Sequence, residues 1–186
     1  MEQHISPWFN HANEAHPPVV LCSPDELPGT GKADPRILTG RHHPCLNKSC
    51  RAITEFDDMV TEWAVIMENY IMRRQDAVGI SSPQLGIPVR MFSIKVKGRI
   101  HGEAPMTFVT PILHPRGRQQ NKIEGCLSLP GEEYLVKRRK KCTVYYQDLH
   151  GERFTLHLKG KWARRAFHEG DHLDGNMISN KMDWLD

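Results

Sequence analysis

Between His168 and His172 the chain reads His-Glu-Gly-Asp-His. Two histidines four residues apart lie one turn along the same face of a helix, so both imidazoles can reach one metal ion, and the Glu beside the first leans over the same site. Glu169 is then the candidate general base. Metal coordination brings the pKa of a water to about 7, and a carboxylate within hydrogen-bond reach can take its proton and pass it to a leaving group. A helix that merely carries exposed His and Glu is the bland alternative.

A third protein ligand decides the class of chemistry. Metalloproteases with this motif usually draw it from a Glu or His downstream. Here 14 residues follow His172 and they contain no Glu, His or Cys; Asp174 and Asp183 are the only nearby alternatives. The ligand is therefore expected upstream, where Glu124-Gly-Cys-Leu-Ser128 offers a thiolate, Cys126, in a tight turn. One sulfur with two imidazole nitrogens suits iron(II), zinc, cobalt or nickel and leaves a coordination position open for water.

The elements that must position these groups can be read from periodicity. Ile53, Phe56, Val60, Trp63, Met67 and Tyr70 recur at spacings of three and four, which predicts an amphipathic helix over about 54–76 whose stripe packs on the domain's own sheet. Segments 89–96, 106–113, 142–147 and 153–158 are short and rich in β-branched or aromatic residues and read as strands, the last two joined by a tight turn at Asp148-Leu-His-Gly151. A second helix is expected over about 162–173, with Gly175 as its stop. The fold class is α+β: antiparallel sheets packed around a C-terminal metal-binding helix, with an amphipathic N-terminal helix. Seven of the thirteen prolines fall within the first 50 residues, so 1–50 reads as a loop-rich arm and 51–186 as the domain proper.

Composition narrows the classes. With 186 residues, 39% hydrophobic and 25% charged, the chain is one globular domain with an appendage, and a net charge of +3 demands neither DNA nor a membrane. No apolar run approaches the roughly 18 residues of a membrane span. Five cysteines, an odd number in a chain able to build its own core, favour a reducing, intracellular compartment, and the first 17 residues lack the apolar core of a secretory signal.

Three segments, Gly79-Ile-Ser-Ser-Pro-Gln-Leu-Gly86, Glu124-Gly-Cys-Leu-Ser128 and His168-Glu-Gly-Asp-His172, resemble in order and spacing the three signature motifs of the peptide deformylases. Phe108-Val-Thr-Pro111, Ala163-Arg164 and Leu173-Asp-Gly175 are similar to their surroundings. The resemblance implies removal of the N-formyl group from the initiating methionine of new chains. Cys126, His168 and His172 would hold one divalent metal, natively iron(II), and Glu169 would activate the water. Gln84 and the Leu127 backbone N–H would donate to the oxyanion. Val78, Gly79 and Gly125 would lie along the substrate, bound as an added strand, with Gly79 leaving room for the second chain. The implied partner is the N-formylated nascent peptide. The implied setting is bacterial cytoplasm, a plastid or a mitochondrion, and the arm and divergent motifs lean towards an organelle.

Some positions depart from the family pattern. Ser81 and Ser82 stand in place of small alanines and bring hydroxyls that need partners. Phe167 replaces a Gln, and Gly170 replaces an apolar residue at a cost of about 1 kcal/mol of helix stability. Lys122 and Arg165 stand where the methionine pocket is usually apolar, and Glu133 where an Arg is common. These changes suggest a drifted substrate preference, and they support the rival reading of a pseudo-enzyme acting as a binding module. An endopeptidase is a further rival. The run Lys137-Arg-Arg-Lys-Lys141 reads as a solvated strand edge, with a ribosome surface as the alternative partner and Arg138 set apart as structural support. His42, His43, Cys45 and Cys50 suggest a second metal cluster only weakly, because Cys-x4-Cys is not a zinc-knuckle spacing.

Overall fold

The computed structural model describes residues 37–98 and 102–180. Of the expected arm, the part before residue 37 lies outside the described residues. The remainder packs onto the domain: Leu46 is fully buried beside Met177 and Ile178, and the Cys50 N–H donates to the Leu173 carbonyl at 2.8 Å.

The first helix, α1, spans Asp58–Arg73. It starts four residues later than periodicity suggests because the Asp57 carboxylate accepts from the Met59 and Val60 N–H groups and caps it there. Val60, Ala64, Met67, Tyr70 and Ile71 form its buried stripe, while Ile53 and Phe56 pack against the same core from the approaching chain.

Five antiparallel strands follow in sequential order as one sheet: β1 Gly79–Ser81, β2 Met91–Lys97, β3 Glu103–Cys126, β4 Leu129–Gln147 and β5 Arg153–Lys159. Successive β2 side chains face opposite helices: Met91 joins the α1 core, whereas Phe92 and Ile94 join that of the second helix, α2, Lys161–Leu173. Burial on both faces explains the near-continuous apolar run of β2. The expected plural sheets are thus a single sheet among the described residues, with a helix on each side.

β3 and β4 run far beyond the strands read from sequence, at 24 and 19 residues. The expected strand at 106–113 already contains Pro111, and Pro115 and Gly117 lie beyond its expected end. Pro111 and Gly117 sit in register shifts of the β3–β4 pair, where an irregular ladder tolerates them. The two strands form a long ribbon that turns at Leu127-Ser128, and Cys126 is the last residue before the turn. α2 lies across it and ends as expected at Gly175, which has φ +71°; a Cβ there would come within 2.8 Å of the Lys48 backbone.

Candidate metal centre

Strand alternation points Glu124 and Cys126 to the same side of β3, and α2 brings His168 and His172 over them. The nearest ligand atoms of Cys126, His168 and His172 all lie within 4.8 Å of one another, with Cys126 Sγ 3.2 Å from His172 Nε2. Among the described residues no other group of His, Cys, Asp and Glu gathers in this way. The sequence's candidate second cluster is not assembled. Cys50 is buried in the α2 core, Cys45 is disulfide-bonded, and His43 Nδ1 accepts from the Cys45 N–H.

A charge network holds the first histidine. Glu124 Oε2 lies 3.1 Å from His168 Nδ1, so the ionised carboxylate takes that N–H and leaves Nε2 free to ligate. Arg138 grips Glu124 with Nε at 2.7 Å and Nη2 at 2.9 Å and reaches Asp171 with Nη1 at 2.7 Å, while Arg164 adds a contact of 2.5 Å. Burial works against the charge on Glu124, but hydrogen bonds from His168 and Arg138 outweigh it and bring the carboxyl down to about 2. Without a metal ion, burial likewise opposes charge on His168, yet hydrogen bonds with Cys126 and Glu124 lift it to about 10, so an ion bound at Nε2 would have to displace a proton there; burial lowers His172 well below its ordinary value.

Glu169 is 4% exposed, and burial pushes its carboxyl up to about 7 against the opposing pull of His168 and a Ser81 hydrogen bond. A carboxyl near neutrality accepts and returns a proton with similar ease. Its Oε2 and His172 Nδ1 are buried without a hydrogen-bond partner. An orphaned carboxylate oxygen above a thiol and two imidazoles is costly in an empty polar site and natural beside a coordinated water. The residues therefore fit a divalent ion. Sulfur with two nitrogens does not select among iron, zinc, nickel and cobalt.

Gln84, 1% exposed, sits in a short 3-10 turn, Ser82–Leu85, directly after β1. Its Oε1 accepts from the Ser81 N–H at 2.9 Å and the Ser81 hydroxyl at 3.0 Å. That fixes the amide so that Nε2 faces Ser128 Oγ at 3.1 Å and Cys126 Sγ at 3.9 Å. The second hydroxyl, Ser82 Oγ, donates to the Val89 carbonyl at 2.5 Å, so both hydroxyls flagged by the sequence are satisfied.

A cleft of about 720 Å³ opens over this centre, and Val78, Gly79, Gln84, Lys122, Gly125, Leu127 and Arg165 all line it. Glu133 does not; it lies exposed on β4 opposite Gly125. Lys122 is exposed with no acidic partner among the described residues. Arg165 is tied to Glu103 at 2.8 Å and to the Lys95 carbonyl at 2.6 Å, and it shares Glu103 with Lys161.

Two glycines lie where neighbours leave no room for a side chain. A Cβ on Gly79 would lie 2.5 Å from Glu169 Oε1, so Gly79 makes room for that carboxyl. A Cβ on Gly170 would lie 2.3 Å from Leu113 Cδ1, so the β3 leucine fills the space that a larger helix residue would take. Sequence reasoning gave Glu124 no role; the available signal was its position two residues before Cys126, on the same strand face.

These observations describe a buried Cys-His-His group that could hold a metal ion, with a buried carboxyl in the same cleft. Residues 35–186 match the model of the polypeptide deformylase family. The chain is 36% identical over 132 residues to peptide deformylase 1 of Clostridium perfringens, covering 70% of this chain and 86% of that protein. It is 35% identical over 142 residues to the peptide deformylase of Acidothermus cellulolyticus, covering 75% and 74%. The crystal structure of peptide deformylase from Thermotoga maritima superposes with a TM-score of 0.71 at 31% identity, covering 78% of this chain and 95% of that one. The chain belongs to the peptide deformylase family and is a hydrolase of that type.

Proposed function

We propose that this deformylase removes the formyl group from N-formyl-methionyl peptides with Cys126, His168 and His172 as metal ligands, iron(II) being the native ion. A bound divalent ion would supply a water of lowered pKa and polarise the formyl oxygen. Glu169 Oε2 takes a proton from the attacking water and returns it to the amine nitrogen as the C–N bond breaks, giving formate and a free N-terminus. Gln84 Nε2, held by Ser81, and the Leu127 N–H donate to the oxygen that gains charge, and losing either donor raises the barrier by about 2.7–4 kcal/mol. Ser128 Oγ occupies the Gln84 donor in the resting site and yields it to substrate.

The observation that carries this reading is the buried, unpartnered Glu169 oxygen in the cleft that Cys126 and His168 also line. A binding module has no chemical reason to keep such a group, and an endopeptidase reading has no support in the relatives. Anaerobic purification with metal analysis, then formyl-peptide turnover for the parent and Glu169→Ala, tests it. The variant should retain metal and lose about 10²–10⁴-fold in kcat; equal rates would remove Glu169 from the mechanism.

Val78, Gly79, Gly125, Lys122 and Arg165 are proposed to contact substrate, with Glu133 outside the cleft in the free protein. Lys122, with no acidic partner among the described residues, differs from Arg165, which is held by Glu103 and the Lys95 carbonyl, so the drift in preference is assigned to Lys122, which would raise turnover of formyl peptides with an acidic residue relative to formyl-Met. Ribosome contact remains a proposal for Lys137, Arg139 and Lys141. Among the described residues no helix is long and apolar enough to cross a membrane. An intracellular setting where formylated chains are made, the mitochondrion first, is the proposed location.

A further inference from the structure

The chain between residues 37 and 41 crosses from one functional motif to another. The Leu38 N–H donates to the Gln84 carbonyl at 2.8 Å, and the Gly40 N–H donates to the Ser128 carbonyl at 2.9 Å. On the far side of the same circuit Gln84 Nε2 reaches Ser128 Oγ at 3.1 Å. The two segments that carry the oxyanion donors, 44 residues apart in sequence, are thus closed into a hydrogen-bonded ring by this crossing piece.

Both ends of the crossing are anchored. Ile37 packs against the α1 core and lines the substrate cleft, and Leu38 packs beside Cys126 and Leu129. Gly40 takes φ +104°, which turns the chain, and Arg41 then pairs with Glu132 at 2.5 Å with its guanidinium over the Tyr134 ring. Residues with no role in ligation or proton transfer therefore span the site's donors at a fixed length of extended chain.

We infer that residues 37–41 are a positioning strap that sets the spacing between the Gln84 side chain and the Leu127 N–H, and that Ile37 forms one wall of the substrate cleft. Two donors serve one developing oxyanion only when their separation is fixed beforehand, and an error near 1 Å costs up to about 10²-fold in rate. Gln84 is held by Ser81 on its own segment, and Leu127 by the β3–β4 turn. The strap relates the two segments to each other.

The inference rests on Gln84 being an oxyanion donor, and the experiment separates the two. In the full chain, Leu38→Pro deletes the N–H to Gln84, and Leu38→Ala keeps it while trimming the same side chain. Each is combined with Gln84→Leu, and kcat, KM, Tm and metal content are measured with a short formyl peptide. Expected is a drop in kcat of about 10-fold or more for Leu38→Pro beyond Leu38→Ala at full metal content, falling to under about 2-fold in the Gln84→Leu background.

Arg41→Ala releases the outer anchor without touching the ring, so it serves should Leu38→Pro fail to fold. It should lower kcat about 3-fold in the parent and not at all in the Gln84→Leu background. Equal losses in both backgrounds, or no loss in the parent, overturn the strap and leave the donor assignment standing. A Gln84→Leu variant with parental kcat overturns both.

Discussion

The two faces of the β3–β4 ribbon have nearly the same amino-acid types and opposite chemistry. On the inner face Glu124, Arg138 and the nearby Asp171 and Arg164 are enclosed and joined by contacts of 2.5–2.9 Å, with His168 at the end of the chain of bonds. On the outer face Lys137, Arg139 and Lys141 stand exposed opposite Asn121, Gln119 and Arg116, without an acidic partner among the described residues. A run of five cations is split by the period of a strand, so charge content says little until the pleat assigns each residue a face. Enclosed charges must be matched, and once matched they hold a metal ligand in orientation; exposed ones are hydrated and contribute little to the fold.

Arg138→Met breaks the comparison most severely. It leaves buried Glu124 and half-buried Asp171 each with one partner fewer, and removing one side of such a network costs about 3–5 kcal/mol. Denaturant unfolding of the metal-free protein measures this. Metal affinity should also fall about 10–100-fold, because Glu124 loses the group that fixes it against His168. A loss below about 1 kcal/mol would place Arg138 with its outer neighbours.

What the sequence disclosed follows the same division. The metal-helix spacing, the Asp148-Gly151 turn and the Gly175 stop rest on rules confined to a few neighbouring residues, and each reappears in the fold. The extent of β3 and β4 did not, because Pro111, Pro115 and the charged stretches are compatible with a strand only where a paired partner and a register shift absorb them. Gly79 reads in sequence as clearance for substrate, and the fold adds that it also clears Glu169; Gly170 reads as a weakness and proves to be half of a volume exchange with Leu113. Both are contacts between residues far apart in the chain, which periodicity cannot register. Asp57 did carry a local signal for the start of α1, and it was outweighed by the apolar spacing that continues upstream to Ile53.

Glu103 falls between the two faces and sharpens the scale. It is partly exposed and bonded to Lys161 at 2.7 Å and Arg165 at 2.8 Å. Burial is the largest single influence and raises its pKa, but Lys161 and Arg165 together prevail and hold the carboxyl at about 2, against an ordinary value of 4.5. Because the folded value is the lower one, the stabilisation is present above about 4.5 and is lost as pH falls towards about 2. Glu103→Gln should lower stability at neutral pH by about 1 kcal/mol and flatten the acid limb of the stability curve between those values. An unchanged limb would mean that the pair is as loose as a fully exposed one.

The smallest effect on folding is expected from the outer face, where Lys137, Arg139 and Lys141 are all changed to Gln. Stability should stay within about 0.5 kcal/mol of the parent, since no buried group loses a partner. Turnover of a short formyl peptide should be unchanged too, because none of the three lines the cleft. Any change should appear in association with ribosomes, as weaker binding whose salt dependence is shallower by about one unit for each phosphate contact removed. Co-sedimentation across a salt series reads this directly. If folding suffers as it does for Arg138→Met, the outer cations are structural and the faces are not distinct; if only ribosome binding weakens, the strand has divided one basic run into a scaffold residue and a recognition surface.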